Sequence, residues 1–133
     1  DHIESATSPV ISAQCLRVAC SDGHMAAASV KFKNKPSKEV MIERWNNFKG
    51  RAQELNLPSA PEHYLTYCEE DNRPQTKLDR MTENGMGVTI GRLREDTIFD
   101  YKFVSLSHNT LRGAAGGAVL MAELLCAEGY MDR

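Results

Sequence analysis

The sequence lacks the signatures of several protein classes. It contains no Cys-x-x-Cys pair and no Cys/His ligand pattern, so we expect no bound metal. It also contains no Asn-x-Ser/Thr glycosylation acceptor. Its 16 Lys and Arg residues do not exceed its 18 Asp and Glu residues and are scattered, which argues against nucleic-acid binding. The longest apolar run is interrupted by Glu123 and is too short to span a bilayer, so we expect no membrane partner.

The cysteines and the start of the chain indicate where the protein works. Four cysteines in 133 residues are too few for a disulfide scaffold, and Cys15, Cys68 and Cys126 lie in apolar runs typical of buried free thiols. We therefore expect a reducing, cytoplasmic location. The opening DHIESATSPV has no apolar signal-peptide core and does not begin with Met, and we expect the sequence to be a piece of a longer protein.

Hydrophobic periodicity predicts more strands than helices. Because the strands do not alternate regularly with helices, we predict an α+β domain with a mixed, largely antiparallel sheet covered by helices on one face. Ser37 has the character of an N-cap for the first helix. The predicted strands cover residues 11–20, 24–33, 63–68, 86–94 and 98–107, the predicted helices cover about 37–54 and 109–127, and residues 69–84 form an irregular crossover.

The first two predicted strands flank the turn residues Asp22 and Gly23, which favours a β-hairpin. With a two-residue turn, Arg17 and His24 share one face of the sheet. Arginine binds carboxylates through a planar fork, and histidine exchanges protons near neutral pH. The pair is therefore either a candidate active site or an ordinary exposed arginine beside a histidine at a turn, and spacing alone leaves both open.

A second candidate site is the glycine-rich beginning of the last helix, in SHNTLRGAAGGAVLMAELL at 107–125. Three glycines in the first turns of a helix are costly, at about 1 kcal/mol each relative to alanine. They indicate either the close approach of a ligand to the helix or close packing against a neighbouring element, and both interpretations can hold.

Other motifs carry less information. The glycines at 85, 87 and 91 do not have the spacing of a dinucleotide-binding fingerprint and lie in a predicted strand. The basic residues Arg73, Lys77, Arg80, Arg92 and Arg94 are interpreted as a solvated or interface surface.

Four segments, in the order of the family, resemble aspartate-semialdehyde dehydrogenases. RVACSDGH at 17–24 is similar to the family's Arg-Val-Pro-Val-x-x-Gly-His segment, and LSHNTLRGAAGGAVLMAELL at 106–125 to its C-terminal Asn-Thr-x-x-Gly-Ala-Ala-Gly-Gly helix. RPQTKLDR at 73–80 and GMGVTIGRLRED at 85–96 resemble its fungal and archaeal-type branch. The resemblance spans about residues 10–128, and it belongs to the C-terminal portion of the family.

The resemblance implies a fold like the C-terminal domain of glyceraldehyde-3-phosphate dehydrogenases. Residues 1–108 would form a substrate-binding and dimerisation domain, truncated at its start, and residues 109–133 a C-terminal helix that returns to an absent cofactor domain. The implied enzyme interconverts aspartyl 4-phosphate and aspartate semialdehyde, with inorganic phosphate and NADP, through a cysteine thioacyl intermediate. It would act as a homodimer or dimer of dimers in the biosynthesis of threonine, methionine and lysine.

The resemblance also assigns roles to individual residues. His24 matches the family's general acid/base, and Arg17 matches the arginine that holds the substrate carboxylate. Asn109, Gly113 and Gly116 match the segment near the nicotinamide of NADP, which is bound mainly by the absent domain.

The sequence departs from the family pattern in several places. Ala19 stands where the family has proline, and Met25 follows the histidine in place of threonine. The family's Asn-Cys nucleophile segment and its glycine-rich cofactor loop have no counterpart here, so we expect the fragment alone to be inactive. A relative of N-acetylglutamyl-phosphate reductase and a non-catalytic dimerisation module remain as alternatives.

Overall fold

The computed structural model describes residues 2–131 and contains a four-stranded sheet with the strand order β1-β4-β3-β2. β4 pairs antiparallel with both β1 and β3, and β2 pairs parallel with β3. This confirms the predicted mixed, largely antiparallel sheet of an α+β domain. The strands are β1 His24–Val30, β2 Leu65–Cys68, β3 Val88–Glu95 and β4 Tyr101–Ser107.

The helices are shorter than the sequence predicts in the first half of the chain. Ser37 is the N-cap of α1, with its hydroxyl oxygen accepting a hydrogen bond from the backbone N–H of Val40 at 3.3 Å, as predicted. The predicted helix over 37–54 is interrupted because Gly50 has an extended backbone. The helices are α1 Lys38–Asn46, α2 Arg51–Glu54, α3 Thr76–Asp79, a 3-10 turn Thr82–Gly85, a π-helical turn Leu111–Ala115 and α4 Gly116–Ala127.

Helix α1 covers one face of the sheet through Trp45. The Trp45 ring stacks on Tyr67 of β2 with 5.9 Å between ring centroids, and lies 5.1 Å from Phe103 of β4. On the opposite face, Leu106 and Thr89 are almost completely buried. The hydroxyl of Thr89 donates a hydrogen bond at 3.0 Å to that of Thr82, so the crossover between β2 and β3 lies against this second face.

A smaller apolar cluster fixes helix α4. Leu120 of α4 is buried with Ala52 of α2, Leu57 and Met86. Burial of such side chains provides roughly 1.5–3 kcal/mol each, so α4 is joined to the domain by packing. Within residues 2–131, no helix has the length and apolar character needed to cross a bilayer.

The predicted hairpin of residues 11–20 and 24–33 is wrong. Residues 2–20 form no strand, and β1 pairs instead with β4, where His24 lies opposite Ser107. Gly23 makes the expected turn, with a φ of 92°. An alternating pattern marks a strand but does not specify its partner, and here the partner is distant in the sequence.

Candidate active site around His24

His24 is the first residue of β1, and its side chain is exposed. It lies opposite Ser107, the last residue of β4, so the candidate site is at one end of the sheet. No hydrogen bond or ion pair joins the imidazole to another side chain or backbone group in residues 2–131. The ring is therefore accessible to groups that approach this end of the sheet.

The turn before His24 is built around Gly23, which is buried. Its φ of 92° lies in the left-handed region that favours glycine. A Cβ atom at this position would lie 3.1 Å from Cδ1 of Leu106 and 3.3 Å from Cγ2 of Thr76. The turn is thus packed closely against β4 and α3, which fixes where β1 begins.

Asn109 lies beside this turn. Its side-chain oxygen Oδ1 accepts a hydrogen bond from the backbone N–H of Gly23 at 2.8 Å. Of the residues that the sequence predicts for the site, the structure therefore brings Asn109 and His24 together.

The segment that carries Asn109 is itself held by His108, a buried residue. The ring nitrogen Nδ1 of His108 accepts hydrogen bonds from the backbone N–H groups of Thr110 and Leu111, both at 3.2 Å. These are N–H groups that the first turn of a helix leaves unpaired. His108 thus caps the beginning of the π-helical turn and fixes the backbone that follows Asn109.

Arg80 approaches the turn from the opposite side. Its Nε lies 3.8 Å from Oδ2 of Asp22, and its Cβ would be 3.5 Å from a Cβ placed on Gly23. The sequence analysis gives Arg80 no role in the candidate site, because nothing in the spacing pairs it with Asp22. The structure shows that Arg80 is part of the support of the His24 turn.

Arg17 is not brought into this arrangement. It lies in the segment 2–20, which has no regular secondary structure, and its side chain is exposed. No hydrogen bond or ion pair links Arg17 to the rest of the described chain. The shared sheet face predicted for Arg17 and His24 is therefore wrong, because it required the hairpin.

The two candidate cofactor glycines differ in their surroundings. A Cβ on Gly116 would lie 2.5 Å from Sδ of Met86 and 2.9 Å from the backbone oxygen of Leu111. Gly113 is exposed, and a Cβ there would come no closer than 3.9 Å to the backbone oxygen of His108. Close packing within the domain thus accounts for Gly116, whereas Gly113 leaves an open surface beside Asn109.

Gly116 also lines an open groove of about 490 Å³. The only charged side chains lining this groove are the carboxylates Glu62 and Glu83. Carboxylates repel phosphate groups, so the groove does not fit the pyrophosphate of a dinucleotide.

The four cysteines are all free, and Cys15, Cys20 and Cys126 are exposed. The sequence prediction of buried thiols is therefore wrong for Cys15 and Cys126, and Cys68 is only partly buried. Burial raises the pKa of the Cys68 thiol, and the nearby charge of Asp79 acts in the same direction. A nucleophilic cysteine needs a lowered pKa, so Cys68 has the opposite environment.

The mixed four-stranded sheet and the helices around it make this an α+β domain. A histidine lies at the end of the edge strand β1, and the segment that leads into the last helix begins beside it. The family model described as "Semialdehyde dehydrogenase, dimerisation domain" matches residues 1–112. The chain belongs to this family.

Relatives with known names support this membership. The chain is 46% identical over 119 residues to aspartate-semialdehyde dehydrogenase of Saccharomyces cerevisiae, which covers 88% of this chain and 33% of that protein. It is 45% identical over 119 residues to malonyl CoA reductase (NADP) of Metallosphaera sedula, with the same coverage of 88% and 33%. The chain therefore spans about a third of the length of the curated relatives it matches.

Solved structures show the same fold. A crystal structure of aspartate semialdehyde dehydrogenase with NADP from Candida albicans matches with a TM-score of 0.74 and 38% identity, over 83% of this chain and 31% of that one. Aspartate semialdehyde dehydrogenase II from Vibrio cholerae matches with a TM-score of 0.64 at 20% identity, over 81% and 28% of the two chains. The second match concerns the fold alone.

Proposed function

We propose that this chain is the C-terminal catalytic and dimerisation part of an NADP-dependent aspartate-semialdehyde dehydrogenase. Residues 1–108 serve as the substrate-binding and dimerisation domain, and residues 109–133 as a helix that returns to the cofactor domain; residues 1, 132 and 133 lie outside the described part of the chain. The observation that carries the proposal is the 46% identity to a relative of that name along 88% of the chain. The free state of all four cysteines supports a reducing, cytoplasmic location.

His24 is proposed as the general acid/base. It takes the proton of a cysteine thiol supplied by the rest of the enzyme, and the thiolate attacks the acyl carbon of aspartyl 4-phosphate. The carbon–oxygen bond to phosphate breaks, inorganic phosphate leaves and a thioester remains. NADPH supplies the hydride that reduces this thioester. His24 donates its proton to the developing oxyanion and takes it back when the carbon–sulfur bond breaks, so that the aldehyde forms and the cysteine leaves as the thiolate.

The geometry around His24 supports this role. The imidazole is exposed at the end of the sheet, while the backbone before it is fixed by Gly23 and its contacts with Leu106 and Thr76. A proton-transfer group needs such a combination, because it must reach its partner and must also stay in place. Asn109 accepts a hydrogen bond from the backbone of Gly23, and the segment that carries Asn109, Gly113 and Gly116 is proposed to lie near the nicotinamide.

The experiment that tests the proposal is the substitution His24→Ala in the full-length enzyme. We expect kcat for phosphate-dependent reduction of NADP with aspartate semialdehyde to fall about 10²-fold or more, the usual scale for losing a general acid/base. His63→Ala is the matched control, because His63 is an exposed histidine in the loop before β2, remote in sequence from the candidate site. Turnover close to normal in the His24 variant would reject the assigned role.

The homodimer is proposed from the description of the family as a dimerisation domain. Light scattering on the two histidine variants should give a dimer or a dimer of dimers in both, because neither change alters a core residue. A monomer for the unmodified enzyme would reject the proposed assembly.

Malonyl-CoA reduction is a second candidate activity, favoured by the 45% identity to malonyl CoA reductase (NADP). A thioester substrate would transfer its acyl group to the same thiol, and the same proton transfers would fall to His24. The enzyme should therefore be assayed with malonyl-CoA beside the aspartyl substrate. A higher kcat/KM for malonyl-CoA would replace the first proposal by this one.

A further inference from the structure

We propose that Asn109 is a positioning residue for His24, and that it acts through the backbone N–H of Gly23. The inference rests on the proposed function of His24 as the proton-transfer group. It adds a residue that works through the peptide of the turn, and it is distinct from any contact that Asn109 makes with the cofactor.

The first support is the hydrogen bond itself. Oδ1 of Asn109 accepts from the Gly23 N–H at 2.8 Å, in partly buried surroundings. Gly23 immediately precedes His24, so the orientation of its peptide group determines the direction in which the chain enters β1. A buried N–H that loses its acceptor destabilises the fold, so the turn is held in this orientation.

The second support is that two links join the same two segments. His24 pairs with Ser107, and one residue earlier Gly23 is bonded to Asn109, two residues beyond Ser107. A single link would leave the turn free to pivot about the end of the sheet. Two successive links fix both the distance and the tilt of the His24 backbone relative to β4.

The third support is that Asn109 is itself rigidly placed. His108 is buried and accepts hydrogen bonds from the backbone N–H groups of Thr110 and Leu111, so the two peptide groups that follow Asn109 are fixed. Within the turn itself, Oδ2 of Asp22 lies 3.8 Å from Nε of Arg80 in the crossover. The turn that carries His24 is thus clamped between the beginning of the last helix and the crossover.

The positioning role and the proposed cofactor role use different atoms of Asn109. Oδ1 serves Gly23, whereas Nδ2 makes no hydrogen bond within the described residues and is the atom available to a cofactor. Asn109→Asp keeps an acceptor oxygen and removes the donor, and Asn109→Ala removes both. Comparing the two variants therefore separates the two roles.

The test uses the full-length enzyme with Asn109→Asp, Asn109→Ala and the control Thr110→Ala, which alters an exposed neighbour in the same segment. Hydrogen exchange of the peptide containing Gly23 is measured together with kcat and with KM for NADP. For Asn109→Ala we expect exchange at Gly23 to accelerate at least tenfold and kcat to fall at least tenfold. For Asn109→Asp we expect exchange at Gly23 to stay within about threefold of normal, because the acceptor oxygen remains, while KM for NADP rises. Thr110→Ala should match the unmodified enzyme.

Two outcomes overturn the proposal. One is unchanged exchange at Gly23 in a folded Asn109→Ala enzyme. The other is an Asn109→Asp enzyme in which exchange at Gly23 accelerates as much as in Asn109→Ala, since the retained acceptor oxygen would then not hold the turn. If exchange responds as expected but His24→Ala keeps normal turnover, Asn109 still positions the turn and the proposed function of His24 is the part that fails.

Discussion

Gly113 and Gly116 stand one helical turn apart, yet an added methyl group would meet different surroundings at each. At Gly116 it would lie 2.9 Å from the backbone oxygen of Leu111 and 2.5 Å from the buried Met86 side chain. At Gly113 it would point into open space, 3.9 Å from the nearest atom. Substitutions at the two glycines therefore test separately whether close packing or the approach of a ligand explains the small residues of this segment.

We expect Gly116→Ala to lower the free energy of unfolding by about 1–3 kcal/mol, because overpacking against a fixed backbone atom forces a rearrangement. Gly113→Ala should be neutral or raise it by up to about 1 kcal/mol, because alanine restricts the unfolded chain. Chemical denaturation of both variants measures the difference. A neutral Gly116→Ala would contradict the packing explanation, and an increase of KM for NADP confined to Gly113→Ala would support the proposed nicotinamide contact.

At the level of individual residues, the sequence predicts the members of the candidate site better than it predicts the residues that hold them in place. His24 and Asn109 stand in motifs that resemble family segments, so both can be named in advance. Arg80 and Asp22 also lie in such segments, but nothing in the sequence pairs them, because their proximity arises only when the crossover folds over the sheet. The hydrogen bond between Gly23 and Asn109 likewise depends on the pairing of β1 with β4.

Among the secondary-structure elements, the crossover between β2 and β3 is held together by an ion pair between Arg73 and the buried Asp79. The Nε of Arg73 donates to Oδ1 and Oδ2 of Asp79 at 3.0 and 2.8 Å, and a second guanidinium nitrogen contacts Oδ1. The Asp79 side chain is only 2% exposed. The Arg73 guanidinium holds the pKa of Asp79 below its usual value, with help from the backbone N–H of Gln75 and against the opposing effect of burial.

Removing this carboxylate should destabilise the protein in a pH-dependent way. Asp79→Asn leaves Arg73 without its partner and should cost about 2–4 kcal/mol of unfolding free energy at pH 7. Because the folded-state pKa is lower than the unfolded value of about 3.9, the stabilisation exists above that pH and is lost as pH falls through the folded-state pKa. Denaturation at neutral pH and below pH of about 4 should therefore show a large difference that shrinks in acid.

Asp71→Asn is the matched control, because Asp71 is an exposed aspartate in the same crossover. Its substitution should change stability little at either pH. An Asp79→Asn protein with the same difference at both pH values would contradict the assigned role of the charge.

The elements themselves are predicted unevenly. Strand β4 and the last helix fall within the ranges expected from periodicity, and β3 ends one residue beyond its expected range, because apolar and polar positions alternate or recur there clearly. The length of the first helix is overestimated, since the hydrophobic spacing typical of a helix continues past the break at Gly50. The strand expected over 11–20 is absent, because a segment of strand-like composition forms a strand only where a partner edge accepts it.

For the molecule as a whole, the segment 2–20 is the part with the fewest contacts of its own. Its large apolar side chains are at least 73% exposed, which is rare for residues that remain in water. They are Ile3, Val10, Ile11, Leu16 and Val18. We expect the rest of the enzyme to cover this segment, and Arg17 to reach the substrate only in that setting.

Arg17→Lys in the full-length enzyme therefore tests an arrangement of the whole molecule. A lysine keeps the charge but loses the planar fork, so KM for the aspartyl substrate should rise about tenfold or more, with a smaller change in kcat. Arg44→Lys, on the exposed side of α1, is the control and should leave KM unchanged. An unaltered KM for the Arg17 variant would reject carboxylate binding.

The hydrogen bond between Gly23 and Asn109 joins positions that are 86 apart in the sequence. During translation, at about 5–20 residues per second, the turn leaves the ribosome several seconds before its partner is made. β1 likewise waits for β4, the only strand it pairs with in the described chain. A nascent chain cut short before Asn109 consequently carries the histidine without its support, so incomplete translation products lack the geometry that the finished protein has.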